Sequence, residues 1–257
     1  MEENQVNENS DVKSTTNSES YFKPKPVWSK YLLEFIMVFL AVFLGVLAEN
    51  WRENIAVQAI ERDYIRSLVA DIKNDSLEIQ KSISRATITL RYQDSVIFYL
   101  YNNHPVDFLP QYFLEFDLES LRRLNVVFNT ATALQLKSGN LRLIQNQKVT
   151  RMISLYWNEQ ENTKTILDRY LIYRNRGREF LEQLVAFSDT DLLEGGLLKS
   201  LPKGIRVIQS NPVLWAQYAN ILSHCKVTTK GYLEQLKKQL QSSNEMILLL
   251  RKEYDLK

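Results

Sequence analysis

A chain of 257 residues with a formal net charge of only +2 lacks the excess of positive charge that a dedicated nucleic-acid binder carries, so no nucleic-acid partner is expected. Hydrophobic residues at 45% and aromatics at 11% are enough for a buried core, which excludes a wholly disordered protein. The single cysteine, Cys225, excludes an internal disulfide framework, and the few glycines and prolines leave room for long helices, so an all-α fold leads.

Residues 1–27 are rich in Asn, Ser and Glu and almost free of aliphatics. They cannot bury enough apolar surface to offset their ordering entropy, and a disordered tail is expected. Tyr31–Ala48 (YLLEFIMVFLAVFLGVLA) then carries a single charge, Glu34, followed by fourteen apolar or small residues. A membrane-spanning helix needs about 20 mostly apolar residues. Trp28 and Trp51 bracket the run, and the stretch from one indole to the other makes about 36 Å of helix at 1.5 Å per residue. Residues 28–51 are therefore expected to be a single transmembrane helix with Trp28, Lys30, Trp51 and Arg52 as its interface anchors. A cleavable signal would need a basic leader and a shorter apolar run. Here the leader is acidic, and the residues after Ala48 keep helical periodicity without Gly or Pro, although Val46-Leu47-Ala48 has the small-residue form of a cleavage site. Lys13, Lys23, Lys25 and Lys30 precede the run and Arg52, Arg62 and Arg66 follow it, a bias that favours a cytoplasmic amino terminus and an extracytoplasmic body.

Beyond the anchor, Ile65, Ile72, Ile79, Ala86, Gln93 and Leu100 recur every seven residues, and Val69, Ser76, Ile83, Leu90 and Ile97 interleave with them. This seam predicts one helix continuous with the anchor, from about Lys30 to Tyr101, packed against others at a shallow angle. Asn102-Asn103-His104-Pro105 should end it. A choppier stretch follows: a short helix within Leu109–Leu124 opened by Pro110, then a second one after Asn129-Thr130 stopped by Gly139, then a connector through Leu141, Leu143 and Ile144 that buries its leucines. Asn146 can cap a third long element whose seam runs Val149, Ile153, Tyr156, Gln160, Thr163, Leu167, Tyr170, Arg174, Gly177, Leu181, Leu184. The stretch from Ser188 to Gly204, with Gly195, Gly196 and Pro202, forbids continuous helix, and Asn211-Pro212 opens the last helix. Its seam begins at Trp215, Tyr218, Leu222 and Cys225 and continues to Leu250 and Tyr254.

The soluble helices are about 75, 60 and 65 Å long, similar enough to lie side by side. The expected architecture is an antiparallel up-down-up-down bundle of four elements, the second broken, formed by residues 52–257 and standing on the membrane.

Chemistry-bearing constellations are sparse. His104 and His224 are the only histidines, and His224 and Cys225 point about 100° apart on a helix. No Glu-x-x-His, Cys-x-x-Cys, phosphate-binding loop or nucleophile-elbow motif occurs, so no catalytic residue, metal or cofactor is expected. In the anchor, Glu34, Ala41, Gly45 and Ala48 fall near one line on the helix, and Ala41 with Gly45 forms a small-x-x-x-small pair on which a second copy or a partner membrane protein could pack. Glu34 can instead reach the interface beside Lys30. Arg174 and Gly177 interrupt the third seam. With Tyr170, Tyr173, Arg169, Arg176 and Arg178 they mark a pocket or partner contact suited to an anion, unless Arg174 simply reaches a carboxylate such as Asp75 or Asp94. Tyr99, Tyr101, Phe108, Tyr112, Phe113 and Phe116 crowd the far end, where they cap the core or form an exposed patch.

The anchor followed by LAENWREN, then IERDYIRSLVADIKND, then FNTATALQLKSGNLRLIQNQKV, resembles an uncharacterised family of bacterial single-pass membrane proteins, a domain-of-unknown-function family. The resemblance covers the chain from about residue 28 onward. It implies a membrane-tethered helical protein of the bacterial inner (cytoplasmic) membrane and supplies no catalytic residue or substrate. The function expected is a membrane-anchored structural or interaction protein without catalytic activity. A ligand-sensing bundle that signals through the anchor helix is the alternative, and an accessory enzyme the third. The sensor requires a pocket near Arg174 and Gly177, the interaction protein an exposed aromatic end.

Overall fold

The computed structural model describes residues 27–103, 105, 107–129, 131–186 and 205–256. The fold is all-α. A first helix, α1, runs Val27–Asn102, followed by α2 (Gln111–Ser120), α3 (Ala131–Lys137), a 3-10 turn (Asn140–Leu143), α4 (Gln147–Leu184) and α5 (Pro212–Tyr254). The chain divides into two units, Met1–Ile55 and Ala56–Lys257. The tail up to residue 26, His104, Thr130 and the stretch from Ser188 to Gly204 lie outside the described residues.

The helix boundaries follow from identifiable local chemistry. At the end of α1, the Asn102 and Asn103 side chains donate back to the Phe98 and Tyr99 carbonyls (2.7 and 2.9 Å), covering acceptors that the finished helix leaves open. Pro110 stands at the N-cap of α2, which stops at Ser120, short of the Leu124 limit expected. Gly139, just past α3, takes φ +121°, a backbone state that L side chains rarely adopt. Asn146 caps α4 by accepting from the Lys148 and Val149 amides, and Asn211 caps α5 by accepting from Val213, with Pro212 at the first helical position.

In the second unit the elements alternate in direction. Ile65, Leu68 and Ile72 of α1 share one buried cluster with Ala133, Leu136 and Ile144 of the connector, Val149 and Ile153 at the start of α4, and Met246 and Leu250 near the end of α5. Ile79, Ala86, Val96 and Leu100 share the other with Leu109, Phe113, Leu121, Tyr170, Leu181, Trp215, Tyr218 and Leu222. The order within each helix makes α1 up, the broken connector down, α4 up and α5 down. Between the two clusters lies a buried polar layer of Asp75, Tyr156, Gln160, Gln239 and Ser243.

The seven-residue column from Ile65 to Leu100 is buried at every position, Gln93 included. The second column holds at its start, where Val69 and Ser76 are buried, and then shifts by one residue: Ser82, Thr89 and Val96 are buried, whereas Ile83, Leu90 and Ile97 are only partly covered. Leu68 and Asp75 are buried on the same side, and Asp75 and Ser82 there meet the connector, whose backbone requires polar partners. In α5, Gln239 and Met246 are buried while their neighbours Leu240 and Ile247 are half-covered. Leu141 and Leu143 of the 3-10 turn are likewise half-covered rather than buried, and Ile144 carries the burial there.

A small antiparallel sheet, unforeseen in the sequence, ties the bundle end together. Strand β1 (Phe108–Leu109) pairs with β2 (Ile205–Arg206), and Val185 bridges to Val207. The Val207 amide donates to Asp107 O and the Ala186 amide to Arg206 O, joining the segment after α1, the end of α4 and the segment before α5.

Candidate functional site

The described residues from Trp28 to Trp51 are exposed throughout, and one helix there is long and apolar enough to cross a membrane. Helical backbone satisfies its own polar groups, so these apolar side chains suit a lipid environment. A Cβ built on Gly45 would meet nothing within 4 Å, and among the described residues the face of Glu34, Ala41, Gly45 and Ala48 is exposed. Phe35, Phe39 and Phe43 stack along another side of the helix, with centroids 6.4 and 6.0 Å apart. Trp28, Lys30, Trp51 and Arg52 are exposed, and Arg52 pairs with Glu49 at 2.6 Å.

Within the bundle, polar side chains of the long helices hold the broken connector by its backbone. An irregular segment carries amide and carbonyl groups with no ladder to join, and burying them without partners is costly. Glu61 Oε1 accepts from the Gln145 amide (3.0 Å) and the Tyr254 hydroxyl (2.5 Å). Asp71 accepts from the Asn129 side chain (2.7 Å) and the Thr132 amide (3.3 Å), supplying an acceptor at the start of α3 from a neighbouring helix. Asp75 accepts from the Asn129 amide (2.6 Å), the Tyr156 hydroxyl (2.9 Å) and Gln160 Nε2 (3.0 Å). Burial pushes the Asp75 carboxyl above its ordinary value, and the hydrogen bonds from Asn129, Tyr156 and Gln160 oppose that rise. Further along, Ser82 Oγ donates to Asn125 O (2.8 Å) and Gln93 Nε2 donates to Ser120 O (2.9 Å) and Thr229 Oγ1 (3.1 Å).

Arg174, Gly177 and Tyr170 belong to the same system, which corrects the pocket expected there. Arg174 Nε donates to Leu121 O (2.9 Å), its NH1 donates to Asn175 Oδ1 (2.7 Å), and the Tyr170 hydroxyl donates to Arg122 O. A Cβ added at Gly177 would meet the Leu121 methyls at 3.1 and 3.3 Å. The glycine is therefore the place where α4 admits the connector, and Leu121 fills the space beside it on the connector side. Arg174 reaches neither of the carboxylates considered for it: Asp75 is occupied as described, and Asp94 pairs with Lys226.

Two polar groups lie deeper. Asp117 of α2 is fully buried and accepts from the Tyr218 hydroxyl at 2.5 Å, and its second oxygen has no partner among the described residues. Burial pushes this carboxyl up to about 7, against the opposing effects of Tyr218 and the Arg178 charge. Cys225 is buried, and burial pushes its thiol up to about 12, which leaves almost no thiolate at neutral pH. Among the described residues, no group of three or more His, Cys, Asp or Glu side chains comes together as a metal site.

At the sheet end of the bundle the aromatic residues divide. Phe113 is buried, and its ring lies 5.0 Å from Tyr99 and 6.4 Å from Trp215. Phe98, Tyr101, Phe108 and Tyr112 remain 71, 63, 52 and 50% exposed. Phe98, Tyr99, Tyr112 and Phe116, together with Asp94 and Asn103, line a hollow of about 560 Å³. Both expectations for this cluster are thus partly realised: some of the rings cap the core, and the others are offered to solvent.

No protein-family model, curated protein or solved structure matches the chain.

Proposed function

We propose that this chain is a membrane-anchored interaction protein without catalytic activity, and that the aromatic end of its helical bundle is the surface it presents to a partner. The observation that carries the reading is that Phe98 and Tyr112, half or more exposed, line an open hollow, with Tyr101 and Phe108 also exposed at that end. Contiguous exposed aromatics on a folded domain mark interaction sites more often than they occur idly, and aromatic residues dominate the energetics of interfaces. The sensor alternative needed a pocket near Arg174 and Gly177; Leu121 fills the space beside Gly177 itself, and the hollow in that region is the groove lined by Tyr173 and Arg176.

The placement is part of the same proposal: Tyr31–Ala48 crosses the bilayer once, the amino terminus is cytoplasmic, and the bundle lies outside the bacterial cytoplasmic membrane. Its supports are the apolar run, the flanking lysines and the resemblance to single-pass bacterial proteins. Glu34, Ala41, Gly45 and Ala48 offer a face on which a second copy or a partner membrane helix could pack.

Photo-crosslinking in cells tests the reading. A benzophenone side chain at Phe98 or Tyr112 should give a discrete adduct, whereas one at the exposed Leu155 or Val227 should not. Equal labelling at all four positions, or none at the aromatic end, would remove the support for an interaction surface. Protease accessibility of terminal tags in intact and permeabilised cells checks the orientation, and extraction of the protein from membranes by alkaline carbonate would refute the anchor.

A further inference from the structure

We propose that the groove between α4 and α5 lined by Tyr173, Arg176, Phe180, Gln217, Asn220 and His224 binds a small aromatic oxyanion, a flat ring bearing a carboxylate or phosphate group. The site is distinct from the aromatic end and does not depend on it.

Residues 173, 176 and 180 lie on one face of α4, and 217, 220, 221 and 224 lie on one face of α5, so the two helices form the walls, with Ile221 also lining the groove. The hollow measures about 370 Å³, within the range of small-ligand sites. Ring stacking holds its aromatic walls in place. Tyr173 stacks on His224 with centroids 5.4 Å apart and planes 13° from parallel. Phe180 stacks on the buried Tyr218 at 6.3 Å and 3°. Neither ring can fold inward to fill the space without giving up its stacking partner, and each leaves a face or edge for a ligand ring.

Between these rings the groove is rich in donors and lacks acid. Arg176, Gln217 and Asn220 make no hydrogen bond or ion pair with the other described residues, and no Asp or Glu lines the hollow. Elsewhere on these two helices Lys164 pairs with Glu161, Lys237 with Glu234, Lys238 with Glu159 and Lys226 with Asp94, whereas no carboxylate stands in this groove to pair with Arg176. A guanidinium presents a planar fork of donors that matches a carboxylate or phosphate in two parallel hydrogen bonds, and the two side-chain amides and the His224 ring can complete the set. An uncommitted cation, free amides and aromatic walls in one hollow suit an anion joined to a flat ring. A cation would find no counter-charge there, and an uncharged ring would make no use of the guanidinium.

The test is a titration of the full chain in detergent micelles, followed by NMR through the His224 ring, which has only His104 as a second histidine. The probes are phenyl phosphate, benzoate, inorganic phosphate and benzamidine. Phenyl phosphate or benzoate should shift the His224 signals saturably, inorganic phosphate should bind more weakly, and benzamidine, a ring of similar shape with the opposite charge, should not compete. Arg176→Gln should weaken binding by about tenfold or more, the effect of losing a charge-assisted hydrogen bond. Arg176 is exposed and has no partner among the described residues, so the variant should keep the parent's circular dichroism and unfolding midpoint. Non-saturating shifts, equal binding of benzamidine, or unchanged affinity in a folded Arg176→Gln protein would each overturn the assignment.

Discussion

Replacing Asp117 with asparagine should destabilise the bundle in mild acid and stabilise it in mild base, because the carboxyl that α2 buries is a proton sink in the folded state. The group is fully buried, and among the described residues it holds a single hydrogen bond from Tyr218 and leaves one oxygen without a partner. Its folded value is about 7 against an ordinary 3.8. A carboxyl raised on folding contributes stability that is complete below the unfolded value and lost as the pH climbs through the folded one, so the loss runs from about pH 4 to pH 7 and then levels off. At 1.36 kcal/mol per pKa unit, this rise corresponds to about 4 kcal/mol, a large part of the stability of a typical domain. Asparagine cannot ionise, but it buries an amide NH2 with no partner, at a cost of about 1–3 kcal/mol. The variant should therefore unfold more easily than the parent at pH 4, cross it between pH 5 and 7, and exceed it at pH 8.

The measurement is urea unfolding of the micelle-embedded chain between pH 4 and 8. It would be followed by the fluorescence of the buried Trp157 and Trp215, with Trp28 and Trp51 replaced by phenylalanine in both proteins. The difference between variant and parent isolates the one carboxyl from every other titrating group. Parallel stability curves, with a constant offset across that range, would refute the reasoning.

Asp75→Ala removes the acceptor for the Asn129 amide, Tyr156 and Gln160 together. It should cost about 3–5 kcal/mol, read as a lower urea midpoint, and Asp75→Asn should cost less, because it retains an acceptor. Gly177→Ala sets a methyl 3.1 Å from a Leu121 methyl while gaining helix propensity, so it should stay within about 1 kcal/mol of the parent. Gly177→Leu has no room beside Leu121 and should cost about 1–3 kcal/mol by the same unfolding assay. Cys225, buried with its thiol pushed up to about 12, should resist a thiol reagent such as dithionitrobenzoate in the folded chain at pH 8 and react fully in urea. Prompt reaction of the native protein would show that the core opens at that point.

The large features of this fold were legible because they rest on apolar periodicity. The column Ile65, Ile72, Ile79, Ala86, Gln93, Leu100 is buried as the spacing requires, and the caps at Asn146 and Asn211 stand where their side chains can accept from the first turns of α4 and α5. The unread parts share one physical origin, since in each of them a partner is backbone, and any residue can supply backbone. In the sequence Asp75 is only a candidate partner for Arg174, Ser82 stands out in no pattern, Gln93 is a polar residue in an apolar seam, and Arg174 marks a candidate ligand site. Each in fact satisfies an amide or carbonyl of the connector, at Asn129, Asn125, Ser120 and Leu121. The two-residue strands Phe108–Leu109 and Ile205–Arg206 were invisible for the same reason, being too short to show an alternating pattern.

That origin also decides how a polar residue in a helical seam should be read. If such a residue sits in a chain whose neighbouring element is itself a regular helix, the neighbour's backbone is already satisfied and the polar group must serve another side chain, a water or a ligand. If the neighbour is broken by Pro110 and Gly139, as this connector is, its free amides and carbonyls are the nearest partners and outcompete a ligand for the seam's polar groups. Arg174 falls in the second situation. Arg176 falls in the first: it lines the groove against α5, a regular helix of 43 residues that offers it no free backbone group, and it makes no hydrogen bond or ion pair among the described residues. The two arginines stand two residues apart on one helix, yet the structure assigns the first to holding the fold and leaves the second available to a ligand.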